Sequence, residues 1–574
     1  MSCTRSVVEN ITFRPSFIPF DTPLKEYACY KSTYYCSSPT FAINWMRYYY
    51  CWLSSSNFWM LVTLIFFFYY AVVTISYINY KFASFSTKKL AKDSKFDNAV
   101  SGLTLTLLGM ALPEVLLGAI TSARPFGSPG NYDYLAVGAL SGSIFYTLSI
   151  NLGLLIKDGL QLNVKDSLYT LIGFLVTLVV ILIFSFSNFL CILFAGILIA
   201  IYGVYVLLVW LDLKDAANPQ EPVLEQRLIN TGGGQGGAGN GAQGGRNPPQ
   251  LRDTSLEVPG DQTQEAQAAN NGNTGNNRGA VAQNRDQYKS IDDFVSGLTG
   301  ALKGEWARKN CLERVLFIPL VPVIILIELT IPTPVDRNYK KIFWFAHGLL
   351  SPIIAILAFT GRLDPTTSIN GSNWWWLIIW LVVGILIAVV LFCISGDGKP
   401  VPVVQPLACL FMCFCWVFYI LKMGFDSYFW NVYYDNNLSS TFYGSLIIGF
   451  GMAVRHHRTA KNTSGKAELV QLLFKHSHFA YTFCFIVLLL VRYFRYLDTE
   501  NGVNPRFDLF DTIYRSRFEF YLIFLMLSVV YRAGDLMSMN WRNQFSLKAI
   551  HWDFILHVFV FYLILQFVLE YVNL

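Results

Sequence analysis

Residues 58–80, FWMLVTLIFFFYYAVVTISYINY, contain no charged side chain. About 20 such residues, wound as an α-helix, cross the hydrocarbon core of a bilayer. Comparable apolar runs recur near 98–122, 134–156, 167–185 and 189–212. They appear again near 315–333, 342–360, 374–395, 405–424, 439–455, 477–496, 518–536 and 551–572. In lipid each backbone N–H and C=O must be satisfied inside the element, so apolar runs of this length are expected to span as helices. Composition agrees: 54% of the 574 residues are hydrophobic and 14% are charged, against about 25% charge in soluble domains. The expected class is an all-α polytopic membrane protein surrounded by membrane lipid. A net charge of +6 suits a positive-inside bias and gives no case for a nucleic-acid partner. The chain has no zinc-ligand spacing, P-loop, dinucleotide fingerprint or nucleophile elbow, so an enzyme is not expected.

An abrupt change of composition divides the apolar runs into two groups. NTGGGQGGAGNGAQGGRNPPQ (230–250) and QAANNGNTGNNRGAVAQNRDQ (267–287) belong to a polar Gly/Asn/Gln tract. Such a tract cannot bury a core and is expected to be disordered. Four regions follow: an N-terminal extramembrane segment at 1–57, a first membrane domain at 58–212, a disordered loop at 213–310 and a second membrane domain at 311–574. Each membrane domain is expected to supply about five helices to a common plan, with extra helices in the second. Aromatic clusters such as RYYYCW and NWWWLIIW need no more than an interfacial belt.

The loops carry a topology. Lys81, Lys88, Lys89, Lys92 and Lys95 follow the first run, which puts that side in the cytoplasmic-equivalent position and the N-terminus outside. Cys3, Cys29, Cys36 and Cys51 lie on the N-terminal segment with the sequon Asn10-Ile11-Thr12, as an oxidising exterior would favour. The run at 315–333, with Pro319, Pro322, Glu328 and Pro332, decides the rest. If it does not span, the basic groups Arg337/Lys340/Lys341, Arg455/Arg458/Lys461 and Arg542/Lys548 all fall inside, and charge bias favours that reading.

The chemistry-bearing stretch is GLTLTLLGMALPE, residues 102–114. An acid at membrane depth is expensive and is by default functional. Pro113 removes a helical hydrogen bond and frees a carbonyl beside Glu114, and Gly109 is a second candidate break. Carboxylate and carbonyl oxygens are hard ligands of the kind Ca²⁺ and Na⁺ take. The next run, LAVGALSGSIFYTLSINLG, adds Gly138, Ala139 and Gly142 for close helix approach, with hydroxyls from Ser141 and Ser143. A partial copy lies in the second group. GSLIIGFGMAVRH (444–456) aligns without gaps, pairing Gly102 with Gly444, Gly109 with Gly451, Met110 with Met452 and Ala111 with Ala453. Glu114 falls on His456, inside Arg455-His456-His457-Arg458. With 315–333 not spanning, the two copies run in opposite directions. The expectation is an inverted repeat, about 98–156 against 439–496, with a site between the copies near the midplane.

GLTLTLLGMALPE and VGALSGSIFYTLSINLG resemble the first repeat of the cation/calcium exchanger branch of the Ca²⁺/cation antiporter superfamily, which includes the mitochondrial sodium/calcium exchanger. LTIPTPVDRNYKKIFWFAHGLLSPIIAIL is similar to the stretch that opens that branch's second half. The resemblance implies Glu114 as the principal cation-binding acid, Ser141 and Ser143 as ion-binding positions, and Gly109 and Pro113 as the helix break. It implies Ca²⁺ exchanged against Na⁺, K⁺ or H⁺ as transported ions, with no resident cofactor. The chain departs from the pattern at Met110, where the branch has asparagine, and a thioether is too soft to replace that oxygen. It departs further at Gly451 and His456, where the branch has an acid. Two functions are therefore expected alternatives: an antiporter by alternating access, or a transport-inactive exchanger-fold subunit of a membrane complex. The resemblance allows the mitochondrial inner membrane, and the N-terminal cysteines favour the plasma membrane or endomembranes.

Overall fold

The computed structural model describes residues 48–53, 57–93, 102–122, 132–156, 164–185, 191–217, 311–332, 341–360, 404–433, 440–453, 466–498 and 522–534, with isolated positions elsewhere. The Gly/Asn/Gln tract, His456 and its neighbours, and the run at 551–572 lie outside these residues.

Among the described residues every regular element is helical. The first helix, α1 (Asn57–Ile78), is rich in aromatic and β-branched residues that are poor helix formers in water. An apolar surrounding leaves its backbone no other way to satisfy its bonds. It continues through a π-helical turn at Asn79–Ala83 into α2 (Ser84–Asp93). The apolar helix thus outlasts the run at 58–80, because its polar residues find internal partners. Asn79 Nδ2 donates to the Met110 carbonyl at 2.9 Å, and Lys81 Nζ lies 2.5 Å from Glu328 Oε1.

A π-helical turn (Gly102–Thr106), α3 (Leu107–Met110) and α4 (Leu112–Ser122) form the leading helix of the stretch expected as the first repeat. Its companion is α5 (Tyr132–Tyr146), a π-helical turn (Thr147–Asn151) and α6 (Leu152–Ile156). Then come α7 (Val164–Ser185) and α8 (Cys191–Ala217). Beyond the tract, α9 (Cys311–Phe317) and α10 (Val321–Thr330) are separated by a 3₁₀ turn at Ile318–Leu320. Pro319 withdraws a donor there, so 315–333 is two short pieces, neither long enough to cross a bilayer alone. The end of α10 is capped by its neighbours. His347 Nδ1 donates to the Leu329 carbonyl at 2.9 Å, Ser351 Oγ to the Thr330 carbonyl at 2.7 Å and Trp416 Nε1 to Thr330 Oγ1 at 2.8 Å. His347 and Ser351 lie on α11 (Lys341–Thr360), and Trp416 on α12 (Val404–Tyr433). The stretch expected as the second repeat is α13 (Ser440–Tyr443), a π-helical turn (Gly444–Gly449) that stays helical to Ala453, and α14 (Lys466–Asp498).

Five described helices are long and apolar enough to cross a membrane: Phe58–Ala91, Lys165–Phe184, Cys191–Asp212, Val404–Tyr428 and Leu469–Phe494. A sixth is added if the bent pair α3–α4 is one span. Their outer faces fit that solvent. Phe58, Trp59, Leu61, Ile65 and Phe66 on α1 are exposed, as are Ile172, Val176 and Ile183 on α7. Contiguous bare apolar faces are rare on soluble monomers and normal against lipid. The chain is a multi-pass membrane protein by this measure.

Residues 1–207 with 290–574 make one compact unit, and residues 208–289 another. Within the larger unit the two stretches expected as repeats pack crosswise. The leading helix of the first, α4, lies on α14, the companion of the second. The leading helix of the second, α13 with its π-helical turn, lies on α5, the companion of the first. Glycine makes the second crossing possible. A Cβ at Gly138, Gly142, Gly444 or Gly449 would overlap the facing backbone carbonyl of Thr441, Ser445, Leu135 or Ala139 respectively.

Candidate functional site

The bend in the first repeat falls on Ala111, between the two expected breakers. The α3 and α4 axes meet at 69°, and Ala111 sits at φ −90° and ψ 8°, in the bridge region. The helix re-forms at once, with Ala111 N–H donating to the Leu107 carbonyl at 2.8 Å and Val115 N–H to the Ala111 carbonyl at 3.0 Å. Pro113 then sits in the first turn of α4, where a missing N–H costs nothing. Gly109 has a packing role: a Cβ there would fall 2.9 Å from Thr87 Cγ2 and 3.1 Å from the Ala83 carbonyl, so its absence lets α3 lie on α2. The Met110 carbonyl is not open to the interior, since it holds the Asn79 amide.

Glu114 therefore occupies the first turn of α4, where the helix dipole favours an anion. It is 1% exposed. The group facing it is His476 on α14, whose Nε2 lies 4.0 Å from Glu114 Oε1, with His476 itself 2% exposed. That separation is too long for a hydrogen bond and short enough for strong electrostatic coupling when the imidazole carries its proton. Cys484, two turns along α14, also lies within reach of the Glu114 charge, and its sulfur packs where a Gly118 Cβ would be. Ser141 is buried on α5 beside the Tyr481 phenol of α14. Ser143 is buried on α5 at the glycine crossing, its backbone nitrogen against Gly449. So α14 gathers Glu114 and Ser141 through His476, Cys484 and Tyr481, whereas Ser143 belongs to the crossing with the second repeat.

Gly451 lines a partly open apolar pocket of about 40 Å³ between α1, α4, α12 and the 444–453 stretch, with Met452, Ile448, Leu117, Val72 and Leu421 in its walls. His456 lies outside the described residues. Among the described residues no group of three or more His, Cys, Asp or Glu side chains is placed to hold a metal ion. Any cation at Glu114 would complete its coordination with hydroxyl, amide and carbonyl oxygens.

Hydropathy does not single out His476, because it lies just before the apolar run expected at 477–496. The helix begins at Lys466. Its polar side chains are satisfied laterally: Lys475 Nζ meets Asp166 Oδ2 at 2.7 Å, and His478 Nε2 lies 3.1 Å from Thr177 Oγ1, packed among Phe174, Tyr202 and Tyr205. Lys422 and Asp426 are buried on α12, at 8% and 2% exposure. Comparison with known proteins adds no name: no family model, no curated protein and no solved structure matches the chain.

Proposed function

We propose that this protein is a membrane cation antiporter of the sodium/calcium-exchanger kind, moving Ca²⁺ or another hard cation against Na⁺, K⁺ or H⁺ by alternating access. One observation carries the reading: a fully buried carboxylate, Glu114, in the first turn after a 69° helix bend. Desolvating a carboxylate at that depth costs several kcal/mol, and a cation or proton offsets that cost. Broken helices in membrane proteins place helix N-termini and oxygens at such sites. The two leading helices support an inverted-repeat plan, since the aligned glycines Gly102 and Gly444 each open a π-helical turn. So does the crosswise packing of the repeats. Cys51 is disulfide-bonded, which supports an oxidising compartment on the N-terminal side.

A second reading is a transport-inactive exchanger-fold subunit of a membrane complex. It is favoured by the nature of the facing group, a histidine where two-acid chemistry would need a carboxylate. One experiment separates the two. Purified protein in proteoliposomes is assayed for ⁴⁵Ca²⁺ uptake under outward Na⁺, K⁺ and H⁺ gradients, beside Glu114→Gln and His476→Asp. The antiporter reading expects gradient-driven uptake that falls about 100-fold in Glu114→Gln. The inactive reading expects none from the native chain in folded form, and uptake gained when His476→Asp supplies a second acid.

A further inference from the structure

Two asparagines each hold a backbone carbonyl in one of the two aligned stretches. Asn79 Nδ2 donates to the Met110 carbonyl at 2.9 Å, and Asn151 Nδ2 donates to the Ala453 carbonyl at 3.0 Å. Met110 stands four residues before Glu114, so its carbonyl is the one a continuous helix would offer to the Glu114 N–H. Ala453 is the residue that aligns with Ala111, where the first repeat bends. Each asparagine lies in a π-helical turn, Asn79 opening one and Asn151 closing another. Such turns are rare and concentrate at functional sites.

The orientation of both amides follows from their acceptors. A carbonyl accepts only, so each NH₂ must face it, and each Oδ1 points the other way. Asn79 is 7% exposed and Asn151 is 0% exposed, and Oδ1 of each is buried with no hydrogen-bond partner among the described residues. A buried amide oxygen left unmet bears its desolvation cost without return. The oxygens are neutral and hard, so they favour alkali and alkaline-earth cations and add no charge that must be neutralised once the ion has left.

We propose that Asn79 and Asn151 are cation-contacting residues, one against each aligned stretch, whose carboxamide oxygens coordinate a Na⁺, K⁺ or Ca²⁺ ion while their NH₂ groups hold the Met110 and Ala453 carbonyls. This rests on the antiporter reading. The bound carbonyl fixes the amide, and the amide oxygen takes the place of a water shed by the ion.

The test uses the full chain in lipid nanodiscs. Equilibrium binding of ⁴⁵Ca²⁺ and ²²Na⁺ is measured for the native protein, Glu114→Gln, Asn79→Asp, Asn151→Asp, Asn79→Leu and Asn151→Leu. The leucine variants lose the oxygen and are expected to bind about tenfold more weakly. The aspartate variants keep an oxygen and add charge, and are expected to favour Ca²⁺ over Na⁺ by about tenfold more than the native chain. Folded asparagine variants with native constants and native Ca²⁺/Na⁺ preference overturn the proposal, even while loss of binding in Glu114→Gln upholds the antiporter reading. No binding of either ion by the native chain overturns both. Where the variants fail to fold, infrared difference spectra of native protein carrying ¹³C-labelled asparagine decide. A cation-induced shift of the carboxamide C=O band supports the assignment, and an unchanged band overturns it.

Discussion

Lys81 at the end of α1 is one-third exposed and needs a counter-charge, which Glu328 of α10 supplies at 2.5 Å. Tyr77, one turn earlier on α1, donates its hydroxyl to the same Glu328 oxygen and accepts from Lys81 Nζ at 3.1 Å. The contact ties the short, proline-broken pieces after the tract to the first helix. They also share an apolar seam, in which Phe317, Leu320 and Ile324 pack on Tyr70, Val73 and Tyr77. Removing one partner leaves a charge without its mate, while removing both leaves an apolar contact. Lys81→Met or Glu328→Leu alone is therefore expected to lower stability by about 2 kcal/mol, and the two combined to recover most of that loss. Thermal unfolding midpoints of the two singles and the double form the cycle that measures the coupling. Additive midpoints would show that the pair contributes nothing. The same scale separates what was legible in the chain from what was not. Glu114 stands out because an acid beside a proline in an apolar run is a local signal. His476, Asn79 and Asn151 do not, because their roles depend on which carbonyl or carboxylate another helix brings to them.

Among elements, the crossing of α5 with the second repeat sets the strictest demand. Four glycines let the two backbones touch, and a methyl at Gly449 would overlap the Ala139 carbonyl. Gly449→Ala must push the helices apart, at an expected cost of about 1–3 kcal/mol. Gly196 and Gly203 on α8 have nothing within 4 Å of an added Cβ. Alanine there is expected to be neutral or to stabilise by up to about 1 kcal/mol, through better helix propensity. Detergent-solubilised yield and unfolding midpoint compare the three; equal losses at all of them would remove the crossing as the cause. Helix type and the approximate runs were readable from hydropathy alone, since a 20-residue apolar run has few alternatives. The π-helical turns were not, because an extra residue per turn is imposed by what packs around it. Nor was the early start of α14, whose KHSH stretch is tolerated inside a helix only because Asp166, Thr177 and Glu114 lie opposite.

At the scale of the molecule, the helices on either side of the Gly/Asn/Gln tract belong to one compact unit. A protease site placed within residues 230–287 is expected to yield two fragments that co-elute in mild detergent and part only on denaturation. Separation of the native fragments on size exclusion would contradict the crosswise packing of α4 on α14 and of α13 on α5. That packing also bears on how such a chain can change over generations. Because α4 fits against α14 and the 440–449 stretch against α5, a substitution at Gly118 is answered at Cys484, and one at Gly142 at Ser445. Compensating changes should accordingly pair positions some 300 or more residues apart in place of neighbours in the same repeat, and the two copies, however far their sequences drift from each other, must drift together.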